Sequence, residues 1–508
     1  MAPRIVTSAE AAQLIPDGAT VALCGCLSVL EPDAVLQGIE ARYLQQGHPR
    51  DLTVIHPVMV ASRKGSGINR FAHDGLMRRV IGGSFSIFPD YEITGMIKQD
   101  RVEAYNLPIG TIFHWLRESG AGRPGLLTAV GLQTYIDPRV EAGRANAAAK
   151  EPLSQIVQLA GREWLFYPAL KVDVAIIRGT SADSQGNISV EHEPASLGIF
   201  YLALAAKRSG GTVIAQVKQQ VESGSVHPRL TLAPGRLVDA IVVDPAQPQS
   251  AVGEHPEFSG EARVRLHPDP VPLSVESAIA RRGMQELRDG QLVNLGYGVP
   301  ALIPALGFPR RVHERVAYSI EHGPVGGLPE GMDAFGATAN PDILLDSTAV
   351  FDMYDGGLLD ITLLGMAQVD QEGNVNVSKF AHMAPGSGGF ANICHQTKKI
   401  VFCGTFTAGG LQAEIVDGRV VIRKEGRVKK FIRRVEQITL SGKAAREKGQ
   451  EVLYVTERAV FRLGKDGLEL IEVAPGIDPA KDILPQMEFP VTVPPNVATM
   501  DPRLFREE

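Results

Sequence analysis

A glutamate set among glycines opens the densest chemical cluster in the sequence: Ser319-Ile320-Glu321-His322-Gly323-Pro324-Val325-Gly326-Gly327-Leu328-Pro329-Glu330-Gly331. It follows the apolar, strand-like Arg315-Val316-Ala317-Tyr318, so Glu321 stands where a strand ends and a glycine-rich loop begins. Gly323, Gly326 and Gly327 let the backbone turn sharply and approach a ligand closely. Apolar neighbours would strip water from such a carboxylate and sharpen it as a nucleophile for covalent catalysis. Spacing alone leaves a second reading open, an ordinary solvated loop acid.

A second cluster runs from Lys379 to Ile393 and contains Pro385-Gly386-Ser387-Gly388-Gly389-Phe390. Gly386, Gly388 and Gly389 offer successive backbone N–H groups as a nest for an oxyanion or a phosphate, although such runs also serve as plain turns. Other candidates are weaker. Asn294-Leu295-Gly296-Tyr297-Gly298-Val299-Pro300 closes a strand but is not GxGxxG, which disfavours a dinucleotide site and a nicotinamide oxidoreductase. No GxxxxGK[ST] phosphate loop and no GxSxG serine motif is present. Gly65-Ser66-Gly67-Ile68-Asn69-Arg70 reads as a solvated loop before it reads as a phosphate contact. Cys24, Cys26, Cys394 and Cys403, with His382 and His395, match no standard zinc spacing, so no metal site is expected.

These clusters need a scaffold of strands and tight turns, and the rest of the chain supplies it. The 508 residues are 44% hydrophobic and 21% charged, with 53 glycines spread along the length, an ordinary globular composition. A net charge of −6 without a basic run argues against nucleic-acid binding. No apolar run reaches membrane-spanning length and the N-terminal stretch has no apolar leader core, so a cytoplasmic enzyme with no membrane partner is expected. Short apolar runs (TVALCG, DLTVIHPV, VDVAIIRG, IAQV, QLVNLG, DITLLGMA, KKIVFCG) alternate with helical patterns such as SVESAIARRGMQEL, where Ser274 is a candidate cap. That alternation predicts α/β architecture with open, largely parallel sheets. EIVDGRVVIRKEG predicts a hairpin, and EVLYVTERAVFRLGKDGLELIEV predicts antiparallel strands in the C-terminal half.

The chain also resembles itself. DVAIIRGTSADSQGNISV from Asp173 aligns with DITLLGMAQVDQEGNVNV from Asp360 at a constant offset of 187, pairing Asp183 with Asp370 and Gly186-Asn187 with Gly373-Asn374. Asp17-Gly18 and the strand after it align with Asp289-Gly290 and theirs at an offset of 272, which places an insertion in the first half between roughly residues 50 and 170. Six prolines between Asp244 and Pro272 exclude a long helix or a central strand there. The expected organisation is two related α/β domains, 1–243 and 274–508, joined by a linker, 244–273, with Glu321 in the second.

In order along nearly the whole chain, IVTSAEAAQLIPDGATVALCG, VGLQTYIDPR, AIIRGTSADSQGNISVEHE, LVNLGYGVP, SIEHGPVGGLPEG and APGSGGFANI resemble the family I CoA-transferases, and most of all the fused single-chain propionate or acetate CoA-transferases. The resemblance implies that Glu321 is the nucleophile that carries coenzyme A as a glutamyl thioester between an acyl-CoA and a free short-chain acid. It implies that Gly388 and Gly389 polarise the acyl carbonyl, that Asn376 in Gly373-Asn374-Val375-Asn376 holds the glutamate, and that Gly296, Gly298 and Gly386 lie against coenzyme A. The CoA thioester is then a substrate, no prosthetic group or metal is required, and a homo-oligomer, dimer or tetramer, is expected. The sequence departs from the family in one place. Shorter relatives carry T-P-Q-G-T, whose glutamine donates to the oxyanion, where this chain has Asn106-Leu107-Pro108-Ile109-Gly110-Thr111. Ile109 has no side-chain donor, and Asn106 is the suggested substitute. An acyl-CoA hydrolase on the same scaffold is the alternative activity. A ligand sensor is disfavoured, because such proteins usually lack the glutamate pattern.

Overall fold

Runs of β-branched and aromatic residues bounded by glycine and proline become strands, and the intervening stretches become helices. In the computed structural model, which describes residues 3–86, 88–331 and 334–507, these runs assemble into two large sheets. The first contains β1 (Arg4–Ile5), β2 (Thr20–Leu23), β3 (Leu52–His56), β4 (Met77–Gly82), β5 (Glu103–Asn106), β6 (Val174–Arg178), β7 (Thr212–Val217) and β8 (Ala240–Val243), in the order β1-β8-β7-β6-β2-β3-β4-β5. Every neighbouring pair is parallel. All residues of β3 and β6 are buried, as expected of a parallel sheet covered on both faces.

The second sheet contains β9 (Leu292–Leu295), β10 (Ala317–Ser319), β11 (Pro324–Val325), β12 (Ile343–Leu344), β13 (Ile361–Leu364), β14 (Lys399–Cys403), β15 (Glu451–Val455), β16 (Ala459–Gly464), β17 (Gly467–Val473) and β18 (Ala498–Thr499). Their order is β12-β11-β10-β9-β13-β14-β15-β16-β17-β18. The centre, β10 to β15, is parallel, whereas β11, β12, β16 and β17 pair antiparallel with their inner neighbours. The expected hairpin is Gln412–Val416 against Arg419–Lys424. Ser274 caps the helix Val275–Met284, its hydroxyl accepting from the Ser277 N–H at 3.1 Å.

The internal repeat is structural. The orders β8-β7-β6-β2-β3 and β15-β14-β13-β9-β10 correspond. Asp173 Oδ2 accepts the N–H of Thr20 at the head of β2, and Asp360 Oδ2 accepts that of Leu292 at the head of β9, each at 3.0 Å. Asp183 caps the N–H of Asn187 at 2.9 Å, and Asp370 caps that of Asn374 at 3.0 Å. Between them Gly186 and Gly373 adopt φ of +78° and +76°, a left-handed turn that favours glycine. Between β3 and β6 the first half carries β4, β5, helix α1 (Ile109–Gly120) and an antiparallel sheet of Gly125–Thr128, Arg162–Pro168 and Gln155–Leu159.

One hydrophobic cluster is shared by the two sheets, running from Ala22, Ile55 and Ala175 through Phe113 and Phe351 to Phe402 and Tyr454. The proline-rich stretch 244–273 holds one short helix, Pro256–Ser259, with proline at its first position, where the missing N–H costs nothing. This stretch packs on both sides: the Ala251 N–H donates to Ser28 Oγ at 2.7 Å, and Phe258 packs with Ala334, Ala337 and Ala339.

Where α1 meets α2 (Ser347–Asp355) and α3 (Phe390–Gln396), a polar clasp closes the contact. His114 lies 3.1 Å from Asp352 and 3.6 Å from Asp355, Arg117 pairs with Asp352, and the Asn392 amide donates to Asp355 at 3.0 Å. Burial, aided by the neighbouring Asp352 charge, pushes the Asp355 carboxyl up to about 6, against the pull of His114, Asn392 and Arg117. A carboxyl that ionises later in the folded chain than in the unfolded one makes stability fall as pH rises from about 4 to about 6. Asp355→Asn keeps an acceptor for Asn392 and removes the charge. Relative to the parent it is expected to gain on the order of 2–3 kcal/mol more at pH 7.5 than at pH 4.5, read by denaturant melts at both pH values. A gain larger at pH 4.5 would contradict the assignment.

Candidate active site

Ligands of open parallel sheets gather beyond the carboxyl ends of the strands, and Glu321 lies two residues past the end of β10. The chain reverses there through hydrogen bonds from Gly323 N–H to Ile320 C=O at 3.0 Å and from Gly326 N–H to Tyr318 C=O at 2.8 Å. A side chain at Gly327, with φ +70°, would put its Cβ 2.5 Å from the Ala339 carbonyl oxygen, so the turn requires glycine. The turn returns Glu321 inward, where it is 7% exposed.

The amide that reaches this carboxylate comes from the neighbouring strand. Asn294 on β9 places Nδ2 3.4 Å from Glu321 Oε2 and 3.1 Å from the Ser319 carbonyl oxygen. Its own Oδ1 accepts from Thr362 Oγ1 on β13 at 2.9 Å, which orients the amide with its donors toward the glutamate. Tyr354 hydroxyl, 2.7 Å from Ser319 Oγ, stands 3.5 Å from the same Nδ2. A buried asparagine in an otherwise apolar strand is the signal that marks this residue in the sequence, and sequence reasoning passed over it. Asn376 is a correction: its amide donates to Gln368 Oε1 at 2.7 Å and Lys379 C=O at 2.6 Å, and its oxygen accepts from Ser378. Those bonds hold the base of the glycine loop and leave Asn376 no donor for Glu321.

The expected nest of successive N–H groups is also narrower than its glycines suggest. Gly386 N–H donates to Ser378 C=O at 3.2 Å, Gly388 N–H to Gly83 C=O at 2.8 Å, and Ser387 N–H to Asn106 Oδ1 at 2.9 Å. Gly389 N–H takes no acceptor among the described residues. A Cβ on Gly389 would lie 3.1 Å from Glu321 Oε1, so this is where the loop meets the carboxylate. Asn106 is not a free donor: both its amide hydrogens go to the Gly82 and Gly83 carbonyls, at 2.9 and 2.7 Å, and its oxygen also accepts from Tyr135. It fastens the first half to the loop. Ile109 faces the site without a polar atom, as its residue type dictates.

Glu321 lines a cavity of about 890 Å³ whose walls come from both sheets and from the proline-rich stretch. Gly296, Gly386, Gly388 and Gly389 line it, together with Cys26, Val58, Met59 and Ile109; Gly298 is outside the lining. A mostly apolar cavity with few polar groups suits a small-molecule ligand held away from water. Arg70, in the glycine-containing loop, is paired with Asp33 and Glu40 at 2.7 and 2.8 Å and offers no free charge to a phosphate. His322, beside Glu321, is 3% exposed, and sequence reasoning gave it no role. Among the described residues no cluster of three or more His, Cys, Asp or Glu is placed to hold a metal, and no helix is long and apolar enough to cross a membrane.

The Coenzyme A transferase family model matches residues 5–244. The acetate CoA-transferase YdiF of Escherichia coli O157:H7 is 39% identical over 508 residues, 99% of this chain and 95% of the relative. The caffeate CoA-transferase of Acetobacterium woodii is 40% identical over 520 residues, 99% of this chain and 98% of the relative. The crystal structure of the YdiF apoenzyme matches with a TM-score of 0.94 over 100% of this chain and 97% of that one. A YdiF thioester complex with CoA, at 38% identity, matches with the same TM-score over 100% and 96%. With a glutamate-lined cavity between two related sheets and identity of this order along its whole length, the chain belongs to the coenzyme A transferase family and is a CoA-transferase enzyme.

Proposed function

We propose that the enzyme moves coenzyme A between short-chain acids by ping-pong covalent catalysis through a Glu321–CoA thioester. The observation that carries this reading is the buried Glu321 carboxylate, held by Asn294 at the wall of an apolar cavity and met there by Gly389. A relative captured as a thioester complex with CoA supports it. A carboxylate oxygen of Glu321 attacks the thioester carbon, the C–S bond breaks, and CoA thiolate leaves a mixed anhydride. The thiolate then attacks the glutamyl carbonyl carbon and expels the first acid, which departs with one oxygen from Glu321. The acceptor carboxylate attacks the enzyme thioester, and the same two steps in reverse release the new acyl-CoA and restore the carboxylate. Protons balance without a base, and every bond exchanged is a thioester or an anhydride, so the exchange needs no prosthetic group.

Gly389 N–H is the donor for the developing oxyanion, a group worth on the order of 10²-fold in rate where it is preorganised. Asn294 keeps the carboxylate aimed along the attack path, and the apolar wall keeps water from hydrolysing the thioester. Both related sheets contribute walls to the cavity, which supports a division into domains 1–243 and 274–508 joined by 244–273; the assembly proposed for it is a homo-oligomer. Intact mass spectrometry tests the reading. Mixing with acyl-CoA alone is expected to add the mass of CoA less one water, mapped to Glu321, and adding acetate is expected to remove it as acetyl-CoA. CoA release that is indifferent to acetate, with no adduct, would identify a hydrolase instead.

A further inference from the structure

His322 lines the cavity beside Glu321 and is 3% exposed, yet neither Nδ1 nor Nε2 has a hydrogen-bond partner among the described residues. The wall's other small polar groups are different. Ser28 is bonded to Ala251, Ser62 to Ser66, Ser84 to Met59, Ser86 to Phe88 and Ser387 to Tyr135. The imidazole is also fixed in place. Phe335 stands edge-on at 5.9 Å, and a Cβ on Gly336 would lie 3.0 Å from Nδ1, so the backbone passes directly against the ring. Cys26 Sγ lies 3.5 Å from that same Cβ position, which makes the surroundings apolar. Burial holds the imidazole below its ordinary range, against the pull of the Glu321 carboxylate. At neutral pH the ring therefore presents one N–H donor and one lone pair.

A buried polar group left unpaired is destabilising, and a ligand atom that pairs with it recovers that loss. His322 and Glu321 line one cavity, so an acyl chain lodged at Glu321 shares its walls with this ring. We propose that His322 reads a hydroxyl or oxo group on that chain, so that the enzyme selects oxygenated short-chain acids over plain acids of equal length. This rests on the transfer reading above. A hydroxyl matches either nitrogen of the neutral ring, since it can accept from the N–H or donate to the lone pair; an oxo group accepts from the N–H. A plain chain leaves both nitrogens unpaired, and a site built to hydrogen-bond a substrate rejects the analogue that lacks the group more strongly than an apolar pocket rejects a methylene. A role at the reacting carbonyl is a different claim, and it would affect all acids alike.

Butyrate, 3-hydroxybutyrate and 3-oxobutyrate, each offered with acetyl-CoA as donor, separate the two. The parent is expected to favour the oxygenated acids in kcat/KM by roughly 10-fold or more. His322→Leu is expected to cut that preference by roughly 10- to 100-fold, through the oxygenated acids, with butyrate changed only a few-fold. His322→Asn, which keeps a donor and an acceptor on a shorter arm, is expected to fall between them and gives the reading if the leucine variant does not fold. An unshifted preference in either variant, or an equal loss for all three acids, overturns the role assigned to His322 and leaves the thioester mechanism standing. A parent that forms the Glu321 adduct with no acid able to discharge it overturns the transfer reading itself.

Discussion

Replacing Glu321 by glutamine is expected to lower CoA transfer by roughly 10⁴-fold or more and to abolish the CoA adduct, while the fold stays intact. Glutamine keeps the length and shape that fit between Asn294 and Gly389, so the loss reports chemistry rather than packing. Its amide has no negative oxygen to attack a thioester, and the acceptor acid must then displace the thiolate directly. That route still profits from binding both reactants in one cavity, which is why the loss is finite. Glu321→Asp retains the charge but withdraws it by one methylene. A misplacement of about 1 Å costs on the order of 10²-fold, so aspartate is expected to fall between parent and glutamine. Initial-velocity patterns complete the test: parallel lines for the parent, and intersecting lines for any residual activity of the glutamine variant. A glutamine variant within about tenfold of the parent would mean the carboxylate is not the carrier.

How much of this was legible beforehand depends on the range over which each residue acts. Glu321 could be picked out because its cues are local: an apolar strand before it, and glycines after it that the turn at Tyr318–Gly327 requires. The strands were legible for the same reason, and the pairing of Asp173 with Asp360 and of Asn187 with Asn374 foretold two copies of one topology. The donors at the site were not legible, because their availability is decided by remote partners. Gly388 and Gly389 look equivalent in sequence, yet one N–H is taken by Gly83, some three hundred residues away in the chain. Asn376 and Asn294 are both asparagines near a strand end; only the lateral order β10-β9-β13 puts Asn294 between Glu321 and Thr362. The same holds for Asn106, whose position suggested a donor and whose bonds to Gly82, Gly83 and Ser387 make it a tether.

Because remote contacts set the site, a change that touches no reacting atom is expected to disturb it strongly, and Gly110 is the sharpest case. It sits in the first turn of α1, where its N–H donates to Asn392 Oδ1 on α3 at 3.1 Å. A Cβ there would lie 2.6 Å from two ring carbons of Phe351 and 2.7 Å from Asn392 Nδ2, well inside the ~3.5–4.0 Å at which carbons rest. Phe351 is fully buried and stacks edge-on against Tyr354 at 5.9 Å, so it has nowhere to turn. Tyr354 in turn touches Ser319 and Asn294, the groups that orient Glu321. Asn392 is one helical turn from Gly389. Gly110→Ala is therefore expected to cost about 1–3 kcal/mol of stability and, by shifting both supports of the carboxylate, up to roughly 10²-fold in kcat. Phe351→Leu in the same chain makes room for the methyl and is expected to recover part of both losses, giving a positive coupling in a double-mutant cycle. Losses that simply add would show that the methyl is accommodated elsewhere and that the packing between α1, α2 and α3 does not set the geometry of Glu321.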